Sequence, residues 1–199
     1  MYSDAIQQLN LGANGLPYSL PLHPNLVHLT LGLFIIGIAF DIVGVFYTFE
    51  RPIFKYLAIP ATRSNFFDVG WYNMVAAAII TFPTVAAGFY EILLVDSPPE
   101  IKSAWNLSAI DTMLWHGVGG VLLLTLIVAM TVWRGFQRYV WRNDMSRQVQ
   151  WWYLLAGLVI IFMMYVHGTL GAHLAGEFGV HNTAGHLLRL GEDPNVVLR

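Results

Sequence analysis

The chain has 199 residues, of which 56% are hydrophobic and 11% are charged, and its formal net charge is −2. Soluble domains of this length carry fewer apolar and more charged residues, so the composition predicts a polytopic membrane protein; we expect no nucleic-acid partner. Cysteine is absent, which excludes disulfides, thiolate-held iron–sulfur clusters and covalently attached c-type haem.

Four apolar stretches reach the length of about 20 residues that a membrane-spanning helix needs. They cover roughly residues 24–47, 69–94, 111–132 and 151–174. No repeat or long polar insertion separates them, which predicts an all-α, up-and-down four-helix bundle forming a single membrane domain over residues 1–199. A polar, glycine-containing tail follows at residues 175–199.

The basic residues predict the orientation, because loops that stay in the cytoplasm retain positive charge. Seven of the ten Lys and Arg residues lie between segments one and two or between segments three and four: Arg51, Lys55, Arg63, Arg134, Arg138, Arg142 and Arg147. Both termini are therefore predicted on the non-cytoplasmic side, in a periplasmic or lumenal space.

In this topology the histidines gather at the outer side. His28, His116 and His167 lie one to two turns from the outer ends of three different segments. His23 and His173 lie nearer the rim, and the tail adds His181 and His186. Because histidine is costly inside a bilayer, such a group predicts a haem or metal site.

A glycine follows each of the three deeper histidines by four residues: Gly32 after His28, Gly120 after His116 and Gly171 after His167. On a helix this spacing puts the glycine on the same face, one turn away. The missing side chain leaves room for a flat macrocycle beside the imidazole. Close packing of membrane helices produces the same pattern, so both interpretations stay open.

Ligand chemistry narrows the cofactor. Two neutral imidazoles on different helices suit a haem iron, whereas three converging histidines with a carboxylate suit copper, zinc or non-haem iron. We take His28 with His116 as the first axial pair, His167 as the substitute, and His23 with His173 as further candidates. Glu91 is the available carboxylate, either orienting a ligand histidine or lying at the bilayer edge.

One acid lies deep in segment one. A lone buried carboxylate is costly, so we expect Asp41 to be protonated or paired with Thr81 or Asn73.

Several of these stretches resemble a bacterial membrane family catalogued as domain of unknown function 2231. They are LHPNLVHLTLGLF with the later Asp41, the Gly-x-x-Glu of residues 88–91, His116, and HGTLGAHLAGEFGV from residue 167. The resemblance implies a four-helix b-type haem protein with histidines at positions 23, 28 and 116. Members often have a small residue at position 167, which leaves His167 and His173 as extra ligands or as packing residues.

The leading hypothesis is an electron carrier with one or two b haems at the outer face. It would exchange electrons with a soluble cytochrome or a quinol, or with subunits of an oxidase or photosynthetic complex, as a monomer or as a homo- or heterodimer. The resemblance implies a bacterial plasma membrane or a cyanobacterial thylakoid. Quinol or metal oxidoreductase activity stays open, as do two alternatives: a cofactor-free structural subunit, and a histidine-based metal-binding or transport protein.

Overall fold

A computed structural model describes residues 10–60, 62–95, 100–141 and 149–197. Within these ranges the chain forms six helices and no strand, only an isolated bridge between Lys102 and Ser108. Arg142 and Arg147, counted above for the orientation, lie outside the described residues. The helices are α1 (Leu22–Tyr56), α2 (Arg63–Leu93), α3 (Ala109–Tyr139), α4 (Trp151–Gly176), α5 (Thr183–Arg189) and α6 (Pro194–Val197).

The first four helices are each long and apolar enough to cross a membrane, which confirms the all-α four-helix membrane bundle. The helices extend beyond the apolar segments, since α1 continues to Tyr56 and α3 to Tyr139. Hydropathy marks the part of a helix that lipid covers, whereas backbone hydrogen bonding continues into polar residues.

The chain divides into two compact units, and each is described by itself. The histidine unit comprises residues 1–25, 84–121 and 165–199, and the arginine unit comprises residues 26–83 and 122–164. The histidine unit holds the start of α1, the end of α2, the start of α3 and the end of α4. Chain direction therefore alternates from one helix to the next, as in an up-and-down bundle.

The arginine unit packs its core around a buried ion pair. Arg134 Nε lies 2.9 Å from Asp41 Oδ2, and Arg134 Nη2 lies 2.9 Å from Asp41 Oδ1. Both side chains are 0% exposed. A second pair joins Arg138 Nη2 to Asp68 Oδ1 at 2.7 Å, one helical turn further along α3. The two bonds between Arg134 and Asp41 satisfy the guanidinium and the carboxylate together.

Two sequence expectations fail at this ion pair. Asp41 is paired with Arg134, not with Thr81 or Asn73, whose side chains donate to the backbone oxygens of Ala77 and Val69. Arg134 lies within α3, not in a cytoplasmic loop. Asp41 neutralises its charge, so Arg134 is no evidence for the orientation of the chain in the membrane. The apolar run predicts an end near residue 132, which puts Arg134 in a loop, and no local pattern reveals an acidic partner 93 residues away.

Glycines of the arginine unit make room for side chains from other helices. A Cβ atom on Gly70 of α2 would lie 2.5 Å from Asp41 Oδ1, and one on Gly157 of α4 would lie 2.5 Å from Ile38 Cδ1. Only glycine permits these approaches, because real Cβ atoms do not come so close to a neighbouring heavy atom.

Candidate functional site

His23 is held at the first turn of α1 by groups of α2. Its backbone N–H donates to Glu91 Oε1 at 3.0 Å, and its ring Nδ1 lies 2.9 Å from the carbonyl oxygen of Thr84. A carbonyl only accepts, so Nδ1 carries the proton and Nε2 presents a lone pair. Gly88 permits this position, because a Cβ there would lie 2.8 Å from the ring.

His116 and His167 are positioned by a reciprocal arrangement between α3 and α4. The His167 ring lies against Gly119 of α3, where a Cβ would be 2.7 Å from Nδ1, and it also lies near Gly120. The His116 ring lies against Gly171 of α4, where a Cβ would be 3.1 Å from Cε1. Each helix thus supplies one imidazole and the glycine surface that receives the other.

The two rings stack face to face. Their centroids are 4.2 Å apart and their planes differ by 5°, while the ring of His23 meets His116 edge-on at 5.8 Å. The Nδ1 atoms of His116 and His167 are buried and have no hydrogen-bond partner. A neutral imidazole nitrogen without a hydrogen-bond partner in an apolar interior lowers the stability of the fold, and a bound ligand would remove that loss.

A small cavity lies beside these rings. Its volume is about 30 Å³, enough for one or two water molecules. It is lined by the three imidazoles of His23, His116 and His167, by glycines and by apolar side chains. The described residues of the histidine unit therefore place three imidazoles around a small, mostly apolar space.

The structure brings some of the predicted site residues together and leaves others apart. It brings His23, His116 and His167 together, with Gly120 and Gly171 beside the rings. His28 belongs to the arginine unit and its side chain is exposed, and the space around Gly32 is open within 4 Å. The sequence spacing pairs each histidine with a glycine of its own helix. At His116 and His167 the glycine against the ring instead comes from the other helix.

Glu91 is buried, with only 4% of the residue exposed. Its Oε1 accepts from the Tyr18 hydroxyl at 3.0 Å and from the His23 backbone, and its own carbonyl oxygen lies 2.7 Å from His181 Nε2. The carboxylate thus orients His23 through the main chain rather than through the ring. Burial, then the hydrogen bond and charge of Glu91, raise the pKa of Tyr18 above its usual value.

The outer histidines do not join the cluster at the cavity. His173 Nδ1 pairs with Glu177 Oε1 at 3.0 Å, and its ring meets Trp105 at 5.1 Å. His181 and His186 instead lie near Gly15 of the N-terminal segment, with ring nitrogens 3.9 and 3.5 Å from the position of a Cβ there.

Sequence reasoning missed three contributors to the site: Tyr18, Thr84 and Gly119. Tyr18 and Thr84 act through contacts 73 and 61 residues away in the chain, which no local spacing reveals. Gly119 could have been found, because it lies in the glycine-rich stretch of residues 117–120, and such a stretch indicates close packing of helices.

The donor set of this site fits a haem, but the space does not. Two neutral imidazoles from different helices, each with an unpartnered nitrogen, are what an axial pair requires. A planar macrocycle does not fit between rings stacked at 4.2 Å, or in a cavity about a tenth of the smallest usual ligand pocket of about 300 Å³. Among the described residues, no group of three or more His, Asp or Glu side chains is arranged to hold a bare metal ion.

Comparison with known proteins identifies the family of the chain. No curated protein and no solved structure matches it. The family described as predicted membrane protein (DUF2231) matches residues 19–184, a range that contains all four long helices and the three clustered histidines. The chain is therefore an integral membrane protein that belongs to the DUF2231 family.

Proposed function

We propose that this protein is a b-type haem protein that carries electrons near the non-cytoplasmic face of its membrane, in which His116 and His167 would hold the haem. The observation that carries the proposal is the pair of buried, unpartnered Nδ1 atoms on these imidazoles. Each costs about 1–3 kcal/mol when it binds nothing. A ligated iron fixes the ring nitrogens and favours neutral imidazole.

This pair of haem ligands differs from the pair predicted from the sequence, which was His28 with His116. His28 has an exposed side chain in the arginine unit, whereas His116 and His167 face each other from α3 and α4. His23 is the third candidate, since its ring nitrogen Nδ1 is already bound to Thr84 and only Nε2 remains for a metal. Haem binding at His116 and His167 requires the two stacked rings to move apart.

The finer parts of the function belong to the same proposal. The electron partner is a soluble cytochrome, a quinol or a subunit of an oxidase or photosynthetic complex, and the membrane is a bacterial plasma membrane or a thylakoid. The chain has no other histidine cluster of this kind among its described residues, so one haem per chain is the expected count.

A histidine-held copper, zinc or non-haem iron ion is the second candidate. The observation that favours it is the small cavity of about 30 Å³, which has room for an ion but not for a macrocycle. Imidazole nitrogens suit all three metals. Rotation of the rings out of their stack would be needed before their nitrogens could converge on one ion.

The deciding experiment is a reduced-minus-oxidised visible spectrum of the protein purified in mild detergent, with a pyridine haemochrome assay and elemental analysis of the same sample. The haem proposal predicts a b-type spectrum near one haem per chain. A colourless protein with stoichiometric copper, zinc or iron would favour the second candidate. A colourless, metal-free protein would contradict both and leave a structural subunit.

A further inference from the structure

A second polar group of the histidine unit lies at the C-terminal end of α4. His173 Nδ1 lies 3.0 Å from Glu177 Oε1, and Glu177 Oε2 accepts from the backbone N–H of Ala104 at 3.0 Å. Because the carboxylate only accepts, Nδ1 carries a proton, and in the neutral form of the ring Nε2 presents a lone pair. Glu177 thus fixes both the tautomer and the orientation of the His173 ring.

The second ring nitrogen of His173, Nε2, has no hydrogen-bond partner among the described residues. Nε2 is buried, and the His173 side chain is 11% exposed. The ring packs at 65° against Trp105, which is half exposed. In the same unit Leu174 and Phe178 form a small apolar cluster with Ala109. The site therefore offers one strong acceptor in apolar, aromatic surroundings.

The chemistry of the site indicates the kind of ligand it takes. A metal ion is not favoured, because no group of three ligating side chains occurs among the described residues. A ligand that reaches the end of a membrane-spanning helix from lipid is apolar, and one that satisfies Nε2 carries a hydrogen-bond donor. A hydroxyl on a flat ring that packs beside Trp105 meets both requirements.

We propose that His173 Nε2 is the hydrogen-bond acceptor for the hydroxyl group of a membrane-dissolved quinol. The site is distinct from the stacked pair of His116 and His167, since His173 lies six residues beyond His167 on α4, about 9 Å along the helix. The inference rests on the proposed function only in that a quinol is one of the electron partners proposed there. Binding of the quinol itself is independent of any haem.

The test is a comparison of reduced and oxidised ligand on the full chain in detergent. Anaerobic equilibrium dialysis with decylubiquinol and decylubiquinone should show the quinol binding about three- to tenfold tighter, because only the quinol has a hydroxyl to donate to Nε2. His173→Phe keeps a ring of similar size and should abolish the preference. His186→Phe, in the tail, is the matched control and should retain it.

Equal binding of quinol and quinone by the wild-type chain would overturn the inference, as would an unchanged preference in His173→Phe. If that variant does not fold, Glu177→Ala serves instead, because it removes the acceptor of the Nδ1 proton, frees the ring and should weaken the preference; an unchanged preference there also overturns it. A haemochrome assay on the same samples separates the two proposals. Quinol preference without haem contradicts only the proposed function, and haem without the preference contradicts only this inference.

Discussion

The histidine unit and the arginine unit use the same packing device for different side chains. In both, a glycine on one helix receives a side chain from another. Gly70 receives Asp41 in the arginine unit, and Gly119 receives His167 in the histidine unit. Helix approach of this kind is general in membrane proteins. The glycines therefore explain how the polar groups are buried but not what those groups do.

The two units differ in whether the buried polar groups are satisfied. Asp41 and Arg134 bond to each other at two points, whereas His116 and His167 each keep an unpartnered nitrogen. Unpartnered atoms also occur in the arginine unit on Gln137, Arg138 and Tyr153, so the difference concerns the central pair of each unit: the ion pair is bonded at two points and the stacked imidazoles are not. A satisfied charge pair indicates architecture, and a pair of unsatisfied imidazoles beside a cavity indicates a ligand site.

The largest effect on stability is expected from breaking the ion pair of the arginine unit. Arg134→Leu leaves the Asp41 carboxylate buried without its counter-charge, and should lower the free energy of unfolding by about 3–5 kcal/mol. The matched double variant, with Leu at both positions, should recover most of that loss, because apolar residues replace a buried pair at little cost. Unfolding by SDS in mixed micelles measures both. A double variant no more stable than the single one would contradict the assignment.

Alanine substitutions at two glycines should change the free energy of unfolding by a smaller amount, and in opposite directions. Gly119→Ala places a Cβ 2.7 Å from His167 Nδ1 and should cost about 1–3 kcal/mol while displacing the ring. Gly168→Ala, where no heavy atom lies within 4 Å, should be neutral or stabilise by up to about 1 kcal/mol, since alanine favours helix. The same unfolding assay compares them. Shifts of equal sign and size would contradict the ring position.

Removal of the Glu91 anchor should cost a similar or smaller amount. Glu91→Ala leaves the Tyr18 hydroxyl and the His23 backbone N–H without their acceptor, which should lower the free energy of unfolding by about 1–3 kcal/mol. Glu91→Gln keeps an acceptor oxygen and should lose less. Thermal unfolding in detergent, followed by helical circular dichroism, measures the difference; indistinguishable Ala and Gln variants would argue against the hydrogen bonds.

The smallest effect is expected in the titration of Tyr18. The pKa of this phenol is raised above 10 by burial first and by Glu91 second, so Glu91→Gln should lower the pKa part of the way towards 10. Because the folded pKa exceeds the unfolded one, Tyr18 stabilises the fold fully below pH 10 and loses this contribution as pH rises through the folded pKa. Phenolate absorbance, wild type minus Tyr18→Phe, reports it. An unchanged titration in Glu91→Gln would remove Glu91 as a cause.

Much of the fold was predictable from the sequence, because the length of an apolar run decides whether a helix can span a membrane. The approximate depth of a histidine follows from its position in such a run, which is how His116 and His167 were found together. The choice of His28 rests on its depth, on Gly32 four residues later and on the family resemblance, none of which tells where its side chain faces. Its exposure depends on the rotation of α1 about its own axis, which an apolar helix does not encode when nearly all of its faces are hydrophobic.

The contacts between helices were not predictable from spacing. Asp41 and Arg134 are 93 residues apart, and the register of α3 against α4 decides that Gly171 meets His116 and Gly119 meets His167. Local periodicity gives the faces of one helix, but pairing two helices requires their relative register. The contact between His173 and Glu177 could have been predicted, because side chains four residues apart in a helical register lie on the same face.

The central claim is that the histidine unit, through His116 and His167, holds the redox cofactor. The most direct test is the haem content, by pyridine haemochrome, of purified wild type, His116→Ala, His167→Ala and His28→Ala at equal helical content. The account predicts about one haem per chain in the wild type and in His28→Ala, and loss of haem in the other two. Haem retained when both His116 and His167 are replaced, or lost in His28→Ala alone, would contradict it.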